Sequence, residues 1–123
     1  MTEDNKINSH KDLKVWQESM NLVLEVYKIT DSLPKNEDFI LKPQLRRSVI
    51  SIPSNISEGF GRKGNKELLQ FLYIALGSLS ELETQIEIVF RLRYIDNIEE
   101  TVEKIKFIRV MLTKLIQSIK SKN

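Results

Sequence analysis

Apolar residues recur along this chain at intervals of three and four. Leu13, Trp16, Met20, Val23 and Tyr27 step by 3, 4, 3 and 4, the spacing that lines one face of an α-helix. Leu22, Val26, Ile29 and Leu33 form a second stripe beside it. Asp12 is the expected N-cap. Pro34 disfavours helical backbone at Leu33, which places the helix end near Ser32, with PKNED as the connection. A second helix is expected from about Lys42, with Pro43 in its first turn where the missing N–H does no harm. It carries Leu45, Val49, Ile52, Ile56 and Phe60 and ends between Gly59 and Gly61. After the turn GFGRKGN, Asn65 is the N-cap expected for a third helix. There Leu68, Leu72, Ala75, Leu79, Leu82, Ile86 and Val89 alternate steps of 4 and 3, the a and d positions of heptads. That helix is expected to stop near Tyr94. Asp96, with Glu99 three positions later, is expected to open a fourth helix through a variant of the capping box. Its stripe is Ile98, Val102, Ile105, Ile108, Leu112, Leu115 and Ile119.

No stretch alternates with the period of a strand. Four long helices with short connections predict an all-α protein, an antiparallel up-down-up-down four-helix bundle. The bundle is expected over residues 12–119, between a mobile leader (1–11) and a fraying tail (120–123).

The least regular part of the pattern is SIPSNISEGFGR, residues 51–62. At 100° per residue, Leu45, Val49, Ile52, Ile56 and Phe60 stay within about 80° of one another across it. Pro53 cannot donate to the Val49 carbonyl, and an interior proline costs a helix about 3 kcal/mol. A helix kinked at Pro53 is the expectation, because the stripe keeps its phase; a break into two helices is the alternative. Ser48, Ser51, Ser54 and Ser57 give low bulk around the helix and hydroxyls for nearby carbonyls. Asn55 reads as a structural amide bridging helices, with a ligand contact as the functional alternative. Ile50 points away from the core. Leu69, Tyr73 and Leu76 form a second stripe on the third helix, beside its core seam. A helix apolar over so much of its circumference needs another partner, so these four are candidates for a self-association surface.

The 123 residues suffice for one domain with its own core. There is no cysteine, hence no disulfide or thiolate metal site. The polar N-terminus lacks the apolar region of a secretory signal, and no apolar run is long enough to span a membrane. A cytoplasmic protein with no membrane association is expected. The net charge is only +2, but it is unevenly placed. Between Leu41 and Lys66 the bases are Lys42, Arg46, Arg47, Arg62, Lys63 and Lys66, against Glu58 alone. Eight acids follow between Glu67 and Glu103, against Arg91 and Arg93. From Lys104 onward there are six bases and no acid. One reading is solvated helix faces that attract one another within the bundle. The other is a phosphate-binding surface. On that reading Arg46, Arg47, Arg62, Lys63 and Lys66 are the first candidates, and Lys104, Lys106, Arg109 and Lys114 the second.

Catalytic chemistry is not indicated. His10 is the sole histidine and stands in the polar leader, so Ser–His and Cys–His pairs and the Glu-x-x-His ligands of di-metal bundles are missing. Paired acids such as Glu81 and Glu83 are not neighbours on a helix face. GFGRKGNK lacks the phosphate-loop pattern. A phosphate on the N-terminus of the third helix beside Arg62, Lys63 and Lys66 is the functional alternative to a plain surface turn. Trp16 and Tyr27 read as packing and are not interleaved with bases. Nucleic-acid contact, if made, is therefore expected through phosphates. No catalytic residue, metal or cofactor is assigned; Asn55 and Glu58 are the polar positions a third, enzymatic reading would use.

Three stretches in order, DLKVWQESMNLVLEVYKIT, QLRRSVISIPSNISEGFGR and LLQFLYIALGSLSELETQIEI, resemble the 23S rRNA intervening-sequence proteins, or S23 proteins. The likeness spans roughly residues 11–95. Arg46 and Arg47, followed by Ser51 to Gly59, are its most specific part. Ser57 stands where the family often has alanine, and the fourth helix matches in pattern only. The resemblance implies a four-helix bundle. It also implies kinship with the accessory variability proteins of diversity-generating retroelements, which form pentameric barrels with basic surface and bind reverse transcriptase and nucleic acid. The expectation is a non-enzymatic homo-oligomer, a pentamer, that binds RNA or DNA or an RNA-handling protein such as a reverse transcriptase. A protein-interaction scaffold without nucleic acid is the alternative.

Overall fold

A computed structural model describes residues 9–122, and residues 1–8 of the expected leader lie outside them. Four helices account for most of these residues, and no strand occurs among them. Helix α1 spans Lys14–Asp31, α2 Leu41–Phe60, α3 Asn65–Arg91 and α4 Glu99–Ser121. Short 3-10 turns, His10–Asp12 and Lys35–Glu37, precede α1 and α2.

Several helix ends differ from the sequence expectation. Asp12 does not cap α1. Its Oδ2 accepts from the Ser9 amide at 3.3 Å, while Ser9 Oγ accepts from the Lys11 amide at 3.2 Å. The pair closes the first 3-10 turn, and extended Leu13 leads into α1. Gly64 rather than Asn65 precedes α3. Asn97 rather than Asp96 serves α4, its Oδ1 accepting from the Glu99 amide at 2.8 Å. The last helix continues through Ser121.

The core is drawn from all four helices. Leu22, Val26, Leu45, Val49, Ile52, Ile56, Leu72, Leu79, Leu82, Ile86, Ile105 and Leu112 are fully buried. On α2 and α3 these are the stripes the spacing marks; on α4 the centre of the expected stripe, Ile105, Ile108 and Leu112, is buried, with Thr101 and Ile116 in place of Val102 and Leu115. On α1 it is the second stripe that is buried, together with Val15, Ser19 and Thr30, whereas Met20 is 42% exposed and Trp16, Val23 and Tyr27 are only partly covered. The reason lies in two polar residues at core positions. Ser19 Oγ donates to the Val15 carbonyl at 2.7 Å and Thr30 Oγ1 to the Tyr27 carbonyl at 2.9 Å. Each hydroxyl is satisfied within its own helix, so a position that looks polar in the sequence is buried at little cost.

Contacts between helices fix their register. From α2 to α3 they pass from Ser48 with Gln85, through Ser51 with Ser78, to Gly59 with Phe71. From α3 to α4 they pass from Glu83 with Arg109 to Tyr73 with Lys120. Between α1 and α4, Glu25 meets Lys104 and Lys14 meets Phe107. The residue numbers rise along one helix as they fall along its neighbour. The α2–α3 turn, the start of α1 and the end of α4 therefore share one end of the molecule.

Helix α2 is continuous across Pro53. Small residues on its flank admit α3 closely. Ser48 Oγ, itself buried, donates to Leu45 O at 3.1 Å and lies 2.7 Å from Gln85 Oε1. Ser51 Oγ and Ser78 Oγ are 2.7 Å apart, and Asn55 Nδ2 donates to both the Ser51 carbonyl and hydroxyl at 2.8 Å. Asn55 thus reaches α3 through Ser51, a structural amide one link removed from the neighbouring helix.

Candidate nucleic-acid interface

The nine cations picked from the sequence divide into two groups. Three of them join helices. Arg46 crosses from α2 to α1, where Nε donates to Thr30 Oγ1 and Nη2 to Asp31 Oδ1, both at 2.9 Å, and its guanidinium carbon stands 4.3 Å from the centre of the Tyr27 ring. Lys104 crosses from α4 to α1 and bonds Glu25 Oε1 at 2.7 Å, with Glu100 at 3.8 Å. Arg109 crosses from α4 to α3 and bonds Glu83 Oε1 at 2.7 Å. The hydrogen bond that Lys104 donates to Glu25 is the main reason the lysine pKa is raised above its ordinary value. These three are clamps within the bundle. Three of its four seams carry such an ion pair, and the α2–α3 seam carries the hydroxyl contacts instead.

Two more cations have acids three or four residues before them: Arg62 bonds Glu58 at 2.6 Å with its guanidinium carbon 4.8 Å from the Phe71 ring centre, and Lys106 stands 3.8 Å from Glu103. Arg47, Lys63, Lys66 and Lys114 are exposed and meet no acid within 4.0 Å among the described residues. The register brings some of these together. Arg62, Lys63 and Lys66 lie at the α2–α3 turn. The end of α4 arrives beside them, since Lys120 Nζ donates to the Tyr73 hydroxyl at 3.4 Å, two turns along α3 from Lys66. The sequence pattern places Lys120 and Lys122 in a fraying tail and conceals their place at this end; their position in an acid-free segment is the signal that could reveal it. Arg46, Arg47, Lys104 and Lys106 lie in the other half of the bundle. The candidate cations are thus split between the two halves of the bundle.

The proposed self-association residues lie in different seams. Leu69 and Leu76 pack against the core, and Tyr73 between them faces α4 through Lys120. Ile50 lines a shallow groove between α1 and α2 with His10, Trp16, Met20, Val23 and Pro53, of about 340 Å³. The exposed α1 stripe lines this groove: the His10 ring meets Trp16 edge-on at 5.2 Å, and Ile50 remains 41% exposed. At the opposite end, Tyr94 donates to Glu37 Oε2 at 2.7 Å, which ties the α3–α4 connection to the α1–α2 connection and raises the tyrosine pKa. Among the described residues no group of three His, Asp or Glu could hold a metal ion, and no helix is long and apolar enough to cross a membrane.

These features define a class, an all-α bundle whose helices are clamped by ion pairs. The sequence profile of the 23S rRNA-intervening sequence proteins matches residues 11–114, and the chain belongs to that family. Among solved structures, it is similar to a protein with unknown function from the S23 ribosomal protein family of Bacteroides thetaiotaomicron. The TM-score is 0.76 at 24% identity, over 84% of this chain and 95% of that one, a likeness of fold. A search of the curated proteins returned no match.

Proposed function

We propose that this chain is a non-enzymatic helical bundle that holds RNA by its phosphates at the basic end. The observation that carries this reading is the convergence of Lys63 and Lys66, which have no acid partner within 4.0 Å, with Lys120 at the far end of α4. The family description, which ties these proteins to insertions in 23S rRNA, supports RNA as the polyanion. Arg62, held by Glu58 on the same turn, adds a further cation, and Lys114 extends the surface along α4. Phosphate contacts of this kind bind with little sequence preference and weaken steeply with salt. Fluorescence anisotropy with a labelled fragment of 23S rRNA should detect binding at about 50 mM salt and lose most of it by about 200 mM. The triple reversal Lys63→Glu, Lys66→Glu, Lys120→Glu should abolish it while circular dichroism stays unchanged. Undiminished binding by the folded triple variant would overturn the proposal. The gene neighbourhood indicates whether the RNA is ribosomal or belongs to a retroelement: a surrounding 23S rRNA insertion or an adjacent reverse transcriptase gene.

A second reading concerns assembly. The apolar α1–α2 groove, with Met20 and Ile50 both more than 40% exposed, supports self-association there, with the pentamer suggested by resemblance as the expected number. Light scattering on a sizing column tests it. An Ile50→Glu variant should dissociate, and a wild-type chain that elutes as a strict monomer sinks the assembly.

A further inference from the structure

At the basic end an exposed aromatic ring stands among the cations, a combination the sequence pattern concealed. Tyr73 is 48% exposed although Leu69 and Leu76, before and after it on the same stripe, are packed against the core. Lys120 approaches its hydroxyl at 3.4 Å from α4. Lys66 lies two helical turns before it on the same face of α3, about 10 Å along the axis. Lys63 precedes Lys66 in the turn. The ring thus has one ammonium group at its hydroxyl and lies on the α3 face that carries Lys66. It is not needed to close the core, and its partner on α4 is a surface lysine.

We propose that Tyr73 is a stacking platform for an unpaired base, so that the basic end selects single-stranded RNA over duplex. This rests on the reading of that end as an RNA surface. An aromatic face flanked by bases is the arrangement that grips single strands: the cations hold successive phosphates while the ring takes one base, whatever its identity. Lys120 stands at the rim of the ring where the phosphate of a stacked nucleotide falls, and Lys66 is placed for a neighbouring one. A duplex keeps its bases stacked on one another and offers only its phosphates. The lysines then still act but the tyrosine contributes nothing.

The probes are a labelled twelve-nucleotide oligoadenylate and a twelve-base-pair RNA duplex, each titrated with the full chain at low salt. Tyr73→Leu keeps an apolar helix-forming side chain but removes the ring, and Tyr73→Phe keeps the ring. The leucine variant should bind oligoadenylate about tenfold more weakly, with the salt dependence of binding unchanged because no cation is lost. The phenylalanine variant should bind as the wild type does, and neither change should alter duplex binding. If Tyr73→Leu leaves oligoadenylate affinity unchanged, or weakens duplex and single strand equally, the stacking role is wrong while the basic surface stands. If the wild type binds neither probe, the RNA reading itself fails.

Discussion

Gly59 on α2 and Phe71 on α3 stand so close that a methyl group on the glycine would lie 3.0 Å from the Phe71 Cβ and 3.0 Å from Leu68 Cδ1. The backbone of Gly59 is ordinary helix, so the glycine is there for the approach of α3 and not for a turn. Alanine is normally the better helix former by about 1 kcal/mol. Here Gly59→Ala is expected to destabilise by roughly 1–3 kcal/mol, because neither Cβ nor the Leu68 carbonyl can move freely. Urea denaturation decides it: a midpoint at or above that of the wild type would mean the seam can relax.

Arg93 is the one described non-glycine residue with a left-handed backbone, at φ 65. It ends α3 where the Tyr94 amide returns to the Val89 carbonyl at 3.1 Å, a helix terminus at which glycine is favoured. Arg93→Gly removes the steric cost of Cβ but loosens the unfolded chain, for a net gain of about 0.5–1 kcal/mol. Thermal melts should show a rise of a few degrees, and a fall would mean that the arginine side chain has a role of its own.

The cations should separate by function when removed singly. Arg46→Ala leaves Asp31 and Thr30 without their donor and exposes the Tyr27 face, so stability should drop by about 1–2 kcal/mol. Lys63→Ala, at an exposed residue without an ion pair, should change stability by less than about 0.5 kcal/mol and instead lower the salt dependence of RNA binding. Melting curves and RNA titrations on the same two proteins test this. Equal stability losses would erase the distinction between clamp and surface.

Alkaline pH should weaken the fold through two groups. Tyr94, hydrogen-bonded to Glu37, and Lys104, hydrogen-bonded to Glu25, both have pKa values raised above the ordinary 10.0 and 10.5. A raised folded-state value means that the stabilisation is complete below the unfolded pKa and disappears as pH rises through the folded one. The melting temperature should therefore respond little to these groups up to about pH 9.5 and decline above 10. In Tyr94→Phe that decline should be shallower, although the protein is less stable at neutral pH because Glu37, only 9% exposed, loses its donor. A decline as steep as that of the wild type would remove Tyr94 from the account.

Local periodicity determined a good deal by itself. The number of helices, the core stripes of α2 and α3, the centre of the α4 stripe, and the continuity of the Ile52–Ile56 stripe past Pro53 follow from steps of three and four, because a helix repeats every 3.6 residues. What the tertiary structure decided are matters of which helix lies beside which. The buried face of α1 turned on Ser19 and Thr30 bonding their own backbone, which no hydrophobic count registers. Whether a base is a clamp or a free surface charge depended on acids 15, 26 and 79 positions away, for Arg46, Arg109 and Lys104 respectively. Tyr73, a self-association candidate in the sequence, became a candidate base contact only when α4 delivered Lys120 to its hydroxyl. Helical period is a property of neighbouring residues, whereas ion pairing and exposure belong to chains brought together by packing, so the first could be read along the sequence and the second could not.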